Sequence, residues 1–169
     1  MTPFDAEMMD LVLQATDSIQ RKMTKPDEDW AAMLLLQNAE KEYLAVELSF
    51  NAETKNALFT QHIPFLIHKL RAVAAATVAT SYFLKLTLDD PRRAGLADGT
   101  LEPSKQPDSV ECLIMQLFPS GQLCRANITR FTDRPPQLGD WVSEPLTKTS
   151  GRMYTPIMKA LEEVKQYSV

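Results

Sequence analysis

Two histidines are the only imidazole groups of the chain, and their spacing limits the chemistry they can share. His62 and His68 are six positions apart in a segment with a helical apolar pattern. At 3.6 residues per turn their side chains point about 120° apart, so they cannot form the one-face pair of a zinc-binding helix. His62 borders the apolar seam, which indicates either a histidine at the edge of the core or a functional one. We expect His68 to face solvent.

The two cysteines fall in the two strands of a predicted hairpin, VECLIMQLF-PSGQ-LCRANITRF. A turn at Ser120-Gly121 pairs Leu113, Met115 and Leu117 with Ile128, Ala126 and Cys124 on one face. Cys112 then lies on the other face, about 16 Å from Cys124 along the ladder. A disulfide needs alpha carbons within about 7 Å, so the pattern predicts two free thiols. An apolar face favours packing over nucleophilic catalysis for Cys124.

The other patterns that carry chemistry are missing from the sequence. It has no G-x-S-x-G elbow, and its five glycines lack the spacing of a phosphate-binding loop. The acidic groups at 27–29 and 89–90 could bind a hard cation, although such clusters at element ends are typical of solvated surface. Arg92-Arg93 is the one compact basic spot, and acidic residues flank it. We therefore predict no catalytic residue, no metal and no cofactor.

Composition places the chain among ordinary globular proteins. Its 169 residues are 44% hydrophobic and 24% charged, which fits one domain spanning 1–169. A net charge of -4 argues against broad binding to nucleic acid or to anionic membrane. The start, MTPFDAEMMD, has no signal-peptide pattern, so we expect a cytoplasmic protein with reduced thiols. The uncharged run 72–84 is too short to span a membrane and instead predicts a buried strand.

Periodicity predicts three helices. The first begins at Thr2-Pro3 and ends near Lys25-Pro26. Asn51 begins the second, whose seam is interrupted near His62 because Pro64 removes a helical hydrogen bond. Thr155-Pro156 begins the last, with four residues facing inward: Ile157, Ala160, Leu161 and Val164.

Five strands complete the predicted order, α-β-β-α-β-β-β-α. A continuous apolar run at 30–37 and an alternating run at 43–50 form a first hairpin. A third strand covers 77–87, and the cysteine-bearing hairpin supplies the last two. We expect an α+β domain with a mainly antiparallel, five-stranded sheet and helices packed on its faces. The segments 89–109 and 133–151 read as long irregular loops, which are usually functional or disordered.

Two segments, FLIHKLRAVAAATVATSYFLKL and EPSKQPDSVECLIMQLFPSGQ followed by LGDW, resemble a group of small bacterial proteins to which no activity is assigned. That resemblance supports an α+β fold and carries no site residue. The element order is also similar to roadblock and profilin-like folds, whose sheets carry helices and often dimerise or dock partners. Topology of this kind does not determine function.

These observations favour a cytosolic, non-catalytic interaction or adaptor module that binds itself or another protein, with a homodimer expected. Apolar strands, a methionine-bearing first helix and the lack of converging polar residues support it. The alternative is a small ligand-binding protein or enzyme with a pocket between the sheet and the loops 89–109 and 133–151. For that alternative the residues to test are His62, Arg92, Arg93 and Arg125.

Overall fold

A computed structural model describes residues 3–49, 51, 53–144 and 154–167. It confirms an α+β architecture. The helical elements are α1 (Pro3–Lys22), α2 (Lys55–Ala57), a π-helical turn (Leu58–His62), α3 (Ile63–Leu70), α4 (Arg92–Asp98), a 3-10 turn (Pro103–Lys105) and α5 (Tyr154–Tyr167). The strands are β1 (Met33–Asn38), β2 (Tyr43–Glu47), β3 (Ala72–Phe83), β4 (Val110–Phe118), β5 (Leu123–Thr129), β6 (Gln137–Leu138) and β7 (Val142–Ser143).

The sheet has seven strands in the described residues, so the prediction of five is wrong. They follow the order β2-β1-β3-β4-β5-β6, with β7 also paired to β5, and every pairing is antiparallel. The two additional strands lie in the segment predicted as the irregular loop 133–151. They were not predicted because two residues are too few to show an alternating pattern. The predicted element order is wrong for the same reason and because α4 forms inside the loop 89–109.

The strand β3 begins at Ala72, five residues before its predicted start at Thr77. Arg71 adopts a left-handed conformation with φ 57° and ends α3, and the alanine-rich segment then continues as strand. Alanine favours helix in isolation, but pairing with β1 on one side and β4 on the other outweighs that preference here. The disturbance predicted near His62 is present as the π-helical turn, after which α3 begins with Pro64 in its first turn.

The β4–β5 hairpin has the predicted faces but a register shifted by two residues. Leu113 pairs with Ala126, whereas Ile128 was predicted as its partner. Met115 pairs with Cys124, whereas Ala126 was predicted. Leu117 bonds to Gln122, which leaves four residues between them, and only Gly121 of these has a positive φ (79°), whereas the tight two-residue turn of type I′ needs two such residues. A shift of two preserves the side-chain alternation, so the apolar face is unchanged.

One face of the sheet, here called the α1 face, is covered by α1. Met8 and Val12 of the helix, together with Trp30, are buried against it. The Trp30 indole donates a hydrogen bond of 3.0 Å to the Thr16 carbonyl oxygen. The strand residues of this core include Leu35, Ala74, Ala76, Val78, Leu113, Met115, Leu117 and Cys124.

The opposite face, here called the α3–α5 face, is covered by α3 and α5 over its β1 and β3 portion. All four residues predicted to face inward from α5 are buried there. They pack with Leu34, Leu36, Phe59, Ile63, Ile67, Ala72, Ala75 and Phe118. Among the described residues, none of the helices is long and apolar enough to cross a membrane.

Candidate interaction surface

The two histidines do not take part in a shared site. His62 is exposed, so its prediction as a histidine at the core edge is wrong; Ile63 turns inward in its place. His68 is exposed as expected, and its Nε2 lies 3.0 Å from Oε2 of Glu163 on α5. The contact with His68 joins α3 to α5 across a groove.

Arg92 organises the segment predicted as the loop 89–109. Its guanidinium donates hydrogen bonds to both carboxylate oxygens of Asp90 (3.1 and 2.9 Å) and both of Asp108 (2.7 and 3.0 Å), which ties the two ends of the segment together. These bonds hold the pKa of each aspartate below its ordinary value and raise that of Arg92. Arg93 donates 2.9 Å to the Leu88 carbonyl oxygen. Both arginines therefore stabilise loop structure.

An open cavity of about 540 Å³ lies within this segment, not between it and the sheet. Its lining comes entirely from the segment itself: Pro91, Arg92, Gly95, Thr100, Leu101, Glu102, Lys105 and Gln106. Leu101 folds back on Gly95, where a β-carbon would stand 3.0 Å from that of Leu101. The guanidinium of Arg92 is already used by its two aspartates, which leaves it no free charge for a ligand.

Arg125 lies across the α3–α5 face. Its Nε donates 2.7 Å to Oε1 of Glu144, and its Cζ lies 4.4 Å from the ring centroid of Phe83. Arg125 of β5 pairs with Ile114 of β4, whereas Phe83 of β3 pairs with Val110 of β4. Cys112 lies between these two β4 residues on the same face, so the Arg125 side chain passes over Cys112 to reach Phe83. Beside it is a cavity of about 260 Å³ lined by Arg125, Asn127, Gly139, Asp140 and Val142. Here a residue predicted for testing meets the described part of the segment 133–151.

Both cysteines are free, as predicted, and buried. Three positions of register separate them, because Cys112 pairs with Asn127 whereas Cys124 pairs with Met115. Burial raises the pKa of both thiols. A thiol that is inaccessible and protonated at neutral pH is a poor nucleophile, so neither fits a catalytic role.

Three of the five acidic residues considered for a cation, Glu28, Asp29 and Asp90, are used in other contacts. Asp29 and Glu111 both accept hydrogen bonds from Arg130, and the Glu28 carboxylate accepts them from the Thr24 and Lys25 amides. No three metal-binding side chains cluster anywhere in the part of the chain that the structure describes.

The outer edge of β5 is covered along its length. β7 pairs with Cys124 and Arg125, and β6 pairs with Ile128 and Thr129. Between and beyond them, the Gly139 amide donates 2.8 Å to the Asn127 carbonyl, and the Glu144 amide donates 2.9 Å to that of Leu123. A β-carbon on Gly139 would stand 3.4 Å from the Asn127 oxygen, so the close approach favours glycine. This edge offers few backbone groups to another chain.

The edge of β2 is different, because no strand among the described residues pairs with its outer side. The Leu48 amide donates 2.7 Å to the Ala32 carbonyl, and the Asn38 amide donates 3.1 Å to that of Glu42. In an antiparallel pair, every second residue of a strand bonds to the same neighbouring strand. Leu44 and Val46 lie at steps of two between Glu42 and Leu48, so they bond to β1 as well. Tyr43, Ala45 and Glu47 must then point their amides and carbonyls outward. All three are exposed.

A polar cluster anchors the start of this edge. The buried Gln37 side chain donates 2.6 Å to Glu7 of α1 and 3.1 Å to the Tyr43 hydroxyl oxygen. Lys41, in the β1–β2 turn, donates 2.8 Å to Glu7. The hydrogen bond from Lys41, and then that from Gln37, lower the pKa of Glu7. The cluster fixes the position of Tyr43 and hence the conformation of the strand that follows.

The outward-facing set, Tyr43, Ala45 and Glu47, is here called the β2 edge, and it was not among the residues singled out from the sequence. The available signal is that Leu44 and Val46 alternate with Tyr43, Ala45 and Glu47, beside the continuously apolar β1, which is typical of a strand with one face toward solvent. The sequence does not show that the second edge of β1 pairs with β3, which makes β2 the outermost strand on this side of the sheet.

Comparison of the chain with known protein families, with curated proteins and with solved structures finds no match.

Proposed function

We propose that the protein is a non-catalytic protein-interaction module whose partner adds a strand to the β2 edge. The observation that carries this proposal is the contrast between a covered β5 edge and an uncovered β2 edge. Unpaired strand edges are templates for another chain, and main-chain hydrogen bonds to an added strand supply affinity. A cytoplasmic location and self-association belong to the same proposal.

The β2 edge lacks the features that usually prevent such pairing. Proteins protect outer strands with proline, with bulges or with charges along the strand. The pairing of β2 with β1 has no register shift from Met33 to Gln37, and the strand contains no proline. Its one charged residue, Glu47, stands at the end of the strand. The edge is therefore regular, and its three outward-facing residues are exposed.

The distribution of reactive groups also supports binding over catalysis. The two thiols are buried, His62 and His68 lie apart, and four of the described arginines form ion pairs with carboxylates. Nucleophilic catalysis needs a base within hydrogen-bond reach of the nucleophile, and neither buried thiol has one among the described residues.

The test is affinity capture from native lysate of the source cells with three baits. Ala45→Pro removes an outward amide and blocks pairing, but it breaks no bond to β1. Ala94→Lys changes an exposed position on α4 and serves as the matched control. We expect the wild-type and Ala94→Lys baits to capture the same protein, which is either a further copy of this chain or a different protein. The Ala45→Pro bait should not capture it. Identical retention by all three baits would overturn the proposal.

The alternative, a small ligand-binding protein or enzyme, is favoured by one observation, the cavity beside Arg125. At about 260 Å³ it lies just below the usual range of ligand sites, about 300 to 1,000 Å³. A thermal-shift titration with acetate and with phosphate tests it. The alternative predicts a stabilising shift that Arg125→Gln abolishes, whereas the interaction module predicts none.

A further inference from the structure

We propose that the partner of the β2 edge is a second copy of this chain, paired antiparallel and symmetrically about Ala45. This inference rests on the proposed function and names the partner of the same site. Two-fold symmetry requires a surface that complements itself, so that each residue of one copy meets its counterpart across the axis. The β2 edge satisfies that requirement in its backbone and in its side chains.

The backbone directions select the register. Tyr43, Ala45 and Glu47 point outward, with Ala45 at their centre. An axis at Ala45 places Ala45 opposite Ala45 of the second copy and Tyr43 opposite Glu47 of the second copy. Each outward residue then faces another outward residue, which gives three hydrogen-bonded pairs of two bonds each.

Other symmetric registers use the edge less completely. Moving the axis to Leu44 pairs Tyr43 with Ala45 of the second copy and places Glu47 opposite Lys41, which lies in the turn with φ 62° and not in the strand. Moving it to Val46 leaves Tyr43 opposite Ser49, beyond the end of β2. Both shifts lose one of the three hydrogen-bonded pairs.

The side chains on the α1 face complement each other in the register centred on Ala45. The Tyr43 hydroxyl accepts a hydrogen bond from Gln37, and its own proton has no acceptor among the described residues. The Glu47 carboxylate has no partner among them either. The register brings this donor beside this acceptor twice, once on each side of the axis. It also keeps the two Glu47 carboxylates about 13 Å apart at the usual strand rise.

The side chains on the α3–α5 face are apolar. Leu44 and Val46 are half-buried and pack at the margin of the core formed by α3 and α5. The register places Leu44 beside Val46 of the second copy, which extends that apolar row across the axis. A strand of five residues can bury only a small part of the roughly 1,200 to 2,000 Å² that typical stable interfaces bury, so we expect reversible dimerisation that depends on concentration.

Cysteine substitution with light scattering tests the register. Native thiols do not interfere, because Cys112 and Cys124 are 0% and 1% exposed. Under mild oxidation we expect Ala45→Cys alone to form a linked dimer, since hydrogen-bonded pairs have alpha carbons about 5.5 Å apart. Leu44→Cys or Val46→Cys alone should link at least about tenfold more slowly, because their diagonal separation exceeds about 7 Å. An equimolar mixture of those two variants should link.

Light scattering on the unmodified chain should show twice the mass of 19.0 kDa at high concentration and the single mass on dilution. Ala45→Lys, which places two like charges on the axis, should keep the single mass throughout, whereas Ala94→Lys should behave as wild type. A strict monomer at every concentration overturns the dimer. A dimer in which Leu44→Cys or Val46→Cys links alone overturns the register.

Failure of the dimer is distinguishable from failure of the proposed function. If the chain is monomeric yet a different protein is captured by wild type and lost from Ala45→Pro, the function survives and the identity of the partner is wrong. If no retention depends on Ala45, both are wrong.

Discussion

The edges of β5 and β2 present the same kind of backbone groups to different surroundings. β5 is followed by a segment that returns along its outer side and bonds to it at β6, at Gly139, at β7 and at Glu144. β2 is followed by α2 and the π-helical turn, which lead to the α3–α5 face, and its outer side receives no strand among the described residues. Among the described residues, the chain thus covers one outer edge of the sheet with its own backbone and leaves the other without a paired strand, and the proposed function places the partner on the second.

Proline substitution should produce the largest effect, and it separates the two sides of β2. Val46→Pro removes an amide that bonds to β1 and leaves the Leu34 carbonyl without its partner, so we expect a loss of at least about 2 kcal/mol in the free energy of unfolding. Ala45→Pro should cost less than about 1 kcal/mol, because its amide points to solvent. Urea unfolding of both variants measures the difference. Equal losses would show that the bond directions assigned to β2 are wrong.

Opening the covered edge should have the next largest effect. Gly139→Val places a branched side chain against the Asn127 oxygen and should push the segment away from β5, at a cost of about 1 to 3 kcal/mol. Amide hydrogen exchange at position 139, corrected for the intrinsic rate of the substituted residue, should accelerate. Gly139→Ala serves as the milder control, since 3.4 Å is only slightly tighter than ordinary contact. Unchanged exchange in the valine variant would contradict the closure described for β5.

Removing Arg125 should have a smaller effect on stability and a specific effect on one thiol. Its contacts with Phe83 and Glu144 are partly exposed, so Arg125→Ala should cost about 1 kcal/mol. Because the side chain passes over Cys112, that thiol should become reactive toward a soluble disulfide reagent in the folded protein while Cys124 stays protected. Arg93→Ala is the matched control. Reaction of neither thiol in Arg125→Ala would refute the placement of Arg125 over Cys112.

At the β2 edge, acidification should have the smallest effect of the four changes, and it should act at the start of the edge. The hydrogen bond from Lys41 lowers the pKa of Glu7 in the folded protein below its unfolded value, about 4.3. The stabilising contribution is therefore complete above the unfolded pKa and is lost as the pH falls through the folded pKa. Amide exchange at Lys41 and Glu42, corrected for intrinsic pH dependence, should report that loss. Glu7→Gln should abolish the pH dependence, and β5, held by backbone bonds, should show none.

The sequence predicts those parts of the fold that depend on local periodicity. The inward face of α5, the apolar face of the β4–β5 hairpin and the interruption before α3 all follow from side-chain spacing or from Pro64. The register of the hairpin does not, because faces repeat every second residue and a shift of two leaves them unchanged.

The candidate site depends on long-range pairing, which local patterns do not contain. The β2 edge is open because β1 turns its other side to β3, across more than thirty residues of sequence. β6 and β7 form because Gly139 and its neighbours meet β5, and a two-residue strand has no periodicity to recognise. The sequence does indicate that β2 is half-exposed, and the structure adds which of its two sides remains unpaired.

Amide hydrogen exchange along β2, measured at low and at high protein concentration, tests the central claim most directly. On dilution, the amides of Tyr43, Ala45 and Glu47 should exchange fast, while those of Leu44 and Val46 stay protected by β1. At high concentration all five should be protected. If the Ala45 amide is protected from exchange in the dilute monomer, the edge is not open. If the amides of Tyr43, Ala45 and Glu47 still exchange fast at high concentration, the edge does not pair with a second copy.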